Sequence, residues 1–208
     1  MHDRFAPSIR HWAWAVAALV LGTLALALAV RIANFEAIPI SRLLRDPNAI
    51  ADQLWYNGLI ESAGILTMAA TTGILLFAAS VVRSPSRMFL AGAGLLTGVM
   101  VLDDSYMLHE QRWFVGIPEH AAFAAYAITL AGLLFRERQR LGRTPILILG
   151  VSLGFLGLAA VADFKGGGWV NPFPKGTEDM AEFMAFQFWA AYFISTARLT
   201  VAAESAGS

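Results

Sequence analysis

Acidic side chains and a histidine gather in one short stretch in the middle of the chain. Asp103 and Asp104 are followed, after an interval of four residues, by His109 and Glu110. Carboxylate oxygens and imidazole nitrogens bind divalent metals in proteins, and the same groups act as general bases. The chain has no cysteine, which excludes disulfides, thiol chemistry and cysteine-ligated metal centres. This stretch therefore predicts a metal site built from oxygen and nitrogen ligands.

Further acids and histidines stand at the ends of apolar segments elsewhere in the chain. The residues expected to bind the metal directly are His109, Glu110, Glu119 and Glu182. The expected general bases, or supports for His109, are Glu61 and Asp104. Four further residues are candidate additional ligands: Asp103, His120, Asp163 and Glu178.

The positions of these acids along the helices separate structural roles from chemical ones. Acids in the first turn of a helix are stabilised by the helix dipole, and this effect is one explanation for Glu119, Glu178 and Asp179. Glu182 lies one turn deeper and shares a helix face with Glu178, so the two carboxylates repel each other unless a cation, a proton or a basic partner intervenes. Glu61 lies within a long apolar stretch, where a carboxylate is by default a functional candidate.

The apolar segments that carry these residues predict an all-α integral membrane protein. Of the 208 residues, 57% are hydrophobic and 14% are charged, against about 25% charged residues in soluble domains. This composition excludes a soluble enzyme and a basic nucleic-acid-binding domain. We expect one polytopic domain over residues 1–208, with six transmembrane helices at roughly 12–33, 47–82, 88–110, 118–136, 145–164 and 178–199.

The distribution of charge predicts how these helices are oriented. One side of the expected membrane carries nine of the fifteen Lys and Arg residues, and the other side carries twelve of the fifteen acids. Cytoplasmic loops are rich in Lys and Arg, so both termini are expected inside the cell. The acidic site would then face the periplasmic or external side of the inner membrane.

Several short motifs resemble a group of small multi-pass bacterial membrane proteins of unknown function. The motifs are the Asp-Asp-x4-His-Glu run that ends at Glu110, the Gly-Ile-Pro-Glu run that ends at Glu119, and Glu178-Asp followed by Trp189-x-x-Tyr192. This resemblance implies a multi-pass membrane fold and assigns no chemistry.

A second, partial resemblance is to the alkaline ceramidase and adiponectin-receptor superfamily of membrane zinc hydrolases. Ser105-x-x-x-His109, followed by Glu119, is similar to the Ser-x-x-x-His and acidic elements of that superfamily. The resemblance implies a metal-dependent hydrolase. The His-x-x-x-His of its last helix is absent here, Glu178-x-x-x-Glu182 stands in the comparable place, and one helix is missing.

The expected function is that of a membrane-embedded, metal-dependent enzyme, a hydrolase or an oxidoreductase, acting on a lipid or another apolar substrate. The divalent metal would be Fe, Mn, Mg, Ca or Zn, and the lipid bilayer is the expected partner, with no nucleic acid. Two alternatives remain open. One is an ion- or proton-coupled transporter that uses Glu61 and the paired acids as a relay. The other is a structural membrane subunit with a cation-binding acidic cluster.

Overall fold

The computed structural model describes a protein made of helices joined by turns. The described residues are 20, 23–24, 26–28, 30–40, 51, 58–106, 108, 119–142, 144–163 and 176–207, and every regular element among them is helical. The all-helical prediction is therefore confirmed for this part of the chain. The chain divides into two compact units, Met1–Asn57 and Gly58–Ser208.

The first unit contains a helical segment that ends in a tight, hydrogen-bonded turn. Residues 30–35 are helical. The amide of Ile38 donates a hydrogen bond of 3.0 Å to the carbonyl of Ala33, which is five residues earlier. Ala37 adopts the left-handed conformation, with φ 51°. A left-handed residue followed by such a bond is the Schellman motif, which satisfies carbonyls at a helix C-terminus.

The described residues of the second unit form six helices. They are α1 (Leu59–Val81), α2 (Ser86–Tyr106), α3 (Glu119–Arg136), the short α4 (Arg138–Leu141), α5 (Ile146–Asp163) and α6 (Thr177–Gly207). Helix α1 begins later than the expected 47–82 because Gly58 has φ 69°, a left-handed conformation through which a right-handed helix does not continue.

Two of these helices, α1 and α2, are long and apolar enough to cross a membrane. Shorter apolar helical stretches cover Ala121–Arg136 and Ile146–Ala162. At 1.5 Å per residue, a helix of about 20 residues matches the hydrocarbon thickness of a bilayer, so α1 and α2 meet this requirement by themselves.

Helix α6 is the centre of the second unit, because it packs against both α5 and α1. Its side chains Trp189, Tyr192 and Phe193 are fully buried, and they belong to the same core as Leu75 of α1 and Leu90 of α2. The rings of Trp189 and Phe193 lie 4.8 Å apart between centroids. These aromatic side chains therefore form the contact that fixes α1 and α2 relative to α6.

Polar side chains add hydrogen bonds between the packed helices. The hydroxyl of Ser152, which is fully buried on α5, donates a 2.8 Å bond to the carbonyl of Ala185 on α6. On the other side of α6, the amide nitrogen of Gln187 donates a 3.4 Å bond to the hydroxyl of Thr67 on α1. Both bonds satisfy polar groups that would be costly to bury alone.

Glycines permit close approach at only one of the two places where they are spaced four residues apart. A Cβ atom on Gly94 of α2 would lie 2.9 Å from Cδ2 of Leu76 on α1, so the two helices touch there. By contrast, Gly150 and Gly154 of α5 have no neighbouring atom within 4 Å of the position a Cβ would take. The same spacing thus reflects helix packing in α2 and an open helix face in α5.

The C-terminal part of α6 closes the turn between α1 and α2. The carboxylate of Glu204 accepts hydrogen bonds from the amides of Arg83 (3.0 Å) and Ser84 (3.3 Å). These amides immediately precede α2, where a negative charge is favourable. The last helix therefore extends beyond the expected 178–199 and ends at Gly207.

Candidate acidic pocket

A pocket lies where the start of α1, the end of α2 and the start of α6 meet. Its acidic lining residues are Glu61, Asp104, Asp179 and Glu182. Its other lining residues are Ile60, Gly64, Phe183 and Phe186. The pocket has a volume of about 300 Å³, which includes space open to solvent. The structure thus brings together three of the residues that the sequence singled out, Glu61, Asp104 and Glu182.

Chain direction explains why these side chains share one end of the unit. Helices α1 and α2 run antiparallel, since only a short turn joins Val81 to Ser86, so the start of α1 lies beside the end of α2. Glu61 and Asp179 are in the first turns of their helices, where the dipole stabilises a carboxylate. Asp104 is in the last turn of α2, where the dipole acts against it.

The floor of the pocket is aromatic. A Cβ atom on Gly64 would lie 3.1 Å from a ring carbon of Phe186, so the glycine leaves the space that this ring fills. Glu61 and Asp179 are exposed, whereas Asp104 and Glu182 are half-buried between the rim and this floor. The pocket thus has two carboxylates in exposed positions and two in partly buried ones.

Asp103, an expected additional ligand, is not among the residues that line the pocket. Its side chain is buried, with 6% of its surface exposed. Its Oδ2 atom accepts a 2.6 Å hydrogen bond from the hydroxyl of Tyr126 on α3. Tyr126 is not among the site residues predicted from the sequence. A tyrosine within an apolar helix is itself a signal, because a buried phenol hydroxyl almost always has a partner.

For most of the remaining expected metal ligands, the structure describes only the backbone or neither the backbone nor the side chain. His109 and Glu110 lie outside the described residues. The backbones of Glu119 and His120 begin α3 and that of Asp163 ends α5, but their side chains are outside the description.

Glu178 is partly buried in the first turn of α6 and does not line the pocket. Within the part of the chain that the structure describes, no three His, Asp or Glu side chains form a group that could hold a metal ion. The four pocket carboxylates surround a common space, and a closed ligand set would need groups beyond those described.

Fold and pocket together define a protein that is helical throughout its described elements, with two helices able to cross a membrane and an acidic pocket, lined also by aromatic rings, at one end of its larger unit. Residues 7–196 match the family described as Domain of unknown function (DUF8692), and the chain belongs to this family. No curated protein and no solved structure matches the chain.

Proposed function

We propose that the protein is a multi-pass protein of the inner membrane, with six transmembrane helices and both termini in the cytoplasm. The exposed apolar surface supports this proposal. Ile128 on α3 and Leu147 on α5 have 72% and 84% of their surfaces exposed, and Leu66 and Phe77 on α1 have 70% each. Apolar surface of this extent is unfavourable in water and favourable in lipid. Helices α3 and α5 have 18 residues each, or about 27 Å, close to the thickness of a hydrocarbon core.

Reporter fusions at the C-terminus test this topology. A fluorescent protein that folds only in the cytoplasm is expected to be bright, and an alkaline phosphatase that is active only in the periplasm is expected to be inactive. The opposite pattern would overturn the orientation and would move the acidic pocket to the cytoplasmic side.

The proposed activity is a metal-dependent reaction on a lipid or another apolar substrate, carried out at the acidic pocket. The supporting observation is the placement of Asp104 and Glu182, both half-buried, around one space that Glu61 and Phe186 also line. Several carboxylate oxygens suit a hard divalent cation such as Mg, Ca or Mn, and imidazole would extend the choice to Fe or Zn.

In this proposal the ligand set combines described and undescribed residues. Glu182 would be a ligand from α6, and His109, Glu110 and Glu119 would complete the set. When bound, the metal would supply Lewis acidity. Glu61 or Asp104 would accept a proton from a water in the pocket. The rings of Phe183 and Phe186 would contact the apolar part of the substrate.

Metal analysis of purified protein tests the proposal. Glu182→Gln is expected to lower the metal retained per protein by at least roughly tenfold, because it removes a ligand. Asp179→Asn is expected to change retention little, since this exposed carboxylate is satisfied by the helix dipole and water. Glu178→Gln is the matched control, because it removes an equal charge from the preceding turn of α6, outside the pocket lining.

Two results would refute the metal proposal. One is a parent protein that carries no metal after purification with metal supplied. The other is a Glu182→Gln variant that retains as much metal as the Glu178→Gln control.

An ion- or proton-coupled transporter is the second candidate. The observation that favours it is the exposure of Glu61 and Asp179 at the pocket, with Asp104 and Glu182 partly buried. A relay needs carboxylates at successive depths. Cation or proton flux into liposomes that is lost in Glu61→Gln would establish this function. A purely structural subunit would show neither metal nor flux.

A further inference from the structure

Asp103 and Asp104 are consecutive residues whose side chains lie in different surroundings. Asp104 lines the pocket formed with α1 and α6, whereas Asp103 is buried against α3 and accepts the hydrogen bond of Tyr126. Consecutive residues of a helix point about 100° apart. The last turn of α2 therefore presents one carboxylate to the pocket and the other to α3, and the direction of each fixes the direction of the other.

The last turn of a helix is the part least constrained by its own hydrogen bonds, since its carbonyls lack partners further along the helix. Two of the described hydrogen bonds hold this turn in place. The amide of Leu108 donates a 2.9 Å bond back to the carbonyl of Asp103. The 2.6 Å bond from Tyr126 holds the side chain of the same residue from α3. A rotation of this turn that moved Asp104 away from the pocket would have to break the second bond.

We propose that Tyr126 is a positioning residue for the pocket: its hydrogen bond to Asp103 holds the last turn of α2 in the rotation that points Asp104 into the pocket. The inference about cation binding rests on the proposed function of the pocket, whereas the inference about the direction of Asp104 does not. The bond needs an acceptor at position 103 and does not need a charge, so Asp103→Asn should preserve the arrangement and Asp103→Leu should not.

The absence of cysteine from the chain allows a direct test of position 104. The thiol introduced by Asp104→Cys reacts with a water-soluble maleimide at a rate that reports how it faces the pocket. Adding Tyr126→Phe is expected to change this rate several-fold, whereas adding Asp103→Asn should leave it within twofold. The thiol introduced by Glu178→Cys, which lies in the first turn of α6 outside the pocket lining, is the control, and its rate should be the same in all backgrounds.

Binding of Mn²⁺ to protein with Asp104 intact is the second measurement. Tyr126→Phe is expected to weaken Mn²⁺ binding by about tenfold, the scale of losing one hydrogen bond to a charged group, and Asp103→Asn is expected to weaken it less. If Tyr126→Phe does not fold, Asp103→Leu takes its place in both measurements, because it removes the same hydrogen bond by eliminating the acceptor.

The outcomes separate the two proposals. A parent protein that binds no Mn²⁺ refutes the cation-binding function, and the alkylation rates then decide the role of Tyr126 alone. Unchanged alkylation at position 104 in Tyr126→Phe overturns the positioning role, whatever the pocket binds. Equal changes at positions 104 and 178 also overturn it, because they would indicate a general loosening of the helices.

Discussion

The indole nitrogen of Trp189 on α6 donates a 3.0 Å hydrogen bond to the hydroxyl of Thr97 on α2. Both side chains are buried, and the Thr97 hydroxyl in turn donates a 2.8 Å bond to the carbonyl of Ala93 in its own helix. The largest core side chain is thereby satisfied by a single hydroxyl group on the neighbouring helix. Without that hydroxyl, the buried indole N–H would lose the partner that compensates its desolvation.

We expect Thr97→Val to destabilise the protein by about 1 kcal/mol more than Thr71→Val. Thr71 is the matched control, because its side chain is equally buried and the hydrogen bond described for its hydroxyl goes to the carbonyl of Thr67 in its own helix. Both variants remove a hydroxyl and preserve the side-chain volume. Thermal unfolding in detergent measures the difference, and equal losses of stability in the two variants would contradict the role of the bond.

The two glycine positions predict opposite outcomes for the same substitution. Gly94→Ala places a methyl group 2.9 Å from Leu76 and is expected to cost about 1–3 kcal/mol through overpacking. Gly150→Ala meets no atom within 4 Å and is expected to be neutral or stabilising by up to about 1 kcal/mol, since alanine favours the helix. Unfolding midpoints compare the two variants. A loss in Gly150→Ala as large as that in Gly94→Ala would show that the face of α5 is covered.

The apolar segments of the sequence predicted the helices, but the sequence could not show which pair of glycines contacts a neighbouring helix. Gly94 and Gly98, like Gly150 and Gly154, are four residues apart within apolar helices, and the spacing says only that the glycines share a helix face. Whether a neighbouring helix lies on that face is a tertiary property. It depends on α1 and α2 being joined by a short turn that keeps them adjacent, whereas α5 packs against α6 through another face.

The bond between Glu204 and the α1–α2 turn predicts a stabilising role for a residue close to the end of the chain. Glu204→Ala is expected to lower the stability by about 0.5–2 kcal/mol, and the loss should be smaller at high salt because part of it is electrostatic. Thr200→Ala is the control, since the hydroxyl of Thr200 bonds to the Thr196 carbonyl of its own helix. Equal unfolding midpoints for Glu204→Ala and Thr200→Ala at low salt would contradict the prediction.

The left-handed residue in the first unit predicts a stabilising substitution. Ala37 has φ 51°, which costs an L-residue about 1 kcal/mol and costs glycine nothing. Ala37→Gly is therefore expected to stabilise the helix end by up to about 1 kcal/mol. Ala33→Gly is the comparison, because it places a glycine in a buried helical position and should be destabilising. Amide hydrogen exchange over residues 30–38 measures both, and slower exchange in Ala33→Gly than in Ala37→Gly would refute the assignment.

The sequence predicted which site residues lie at the same ends of the helices. It did not predict which side chains on different helices contact each other. Glu61, Asp104 and Glu182 could be placed at one end from the alternating direction of the helices. The different directions of Asp103 and Asp104 followed from helix geometry, but the partner of Asp103 did not, because no periodicity identifies Tyr126 on another helix. Glu204 counted only as a charge near the end of the chain, since nothing local reveals that its helix reaches a distant turn.

Helix α6 runs without interruption from the acidic pocket at one end of the larger unit to the α1–α2 turn at the other end. Its 31 residues extend over about 47 Å, more than the thickness of a hydrocarbon core. Glu182 at the pocket and Glu204 at the α1–α2 turn lie about 33 Å apart along the helix axis and within about 40° of each other around it. A ligand in the pocket that shifted α6 as a single body would therefore also act on the turn between α1 and α2, through the bonds that Glu204 makes there.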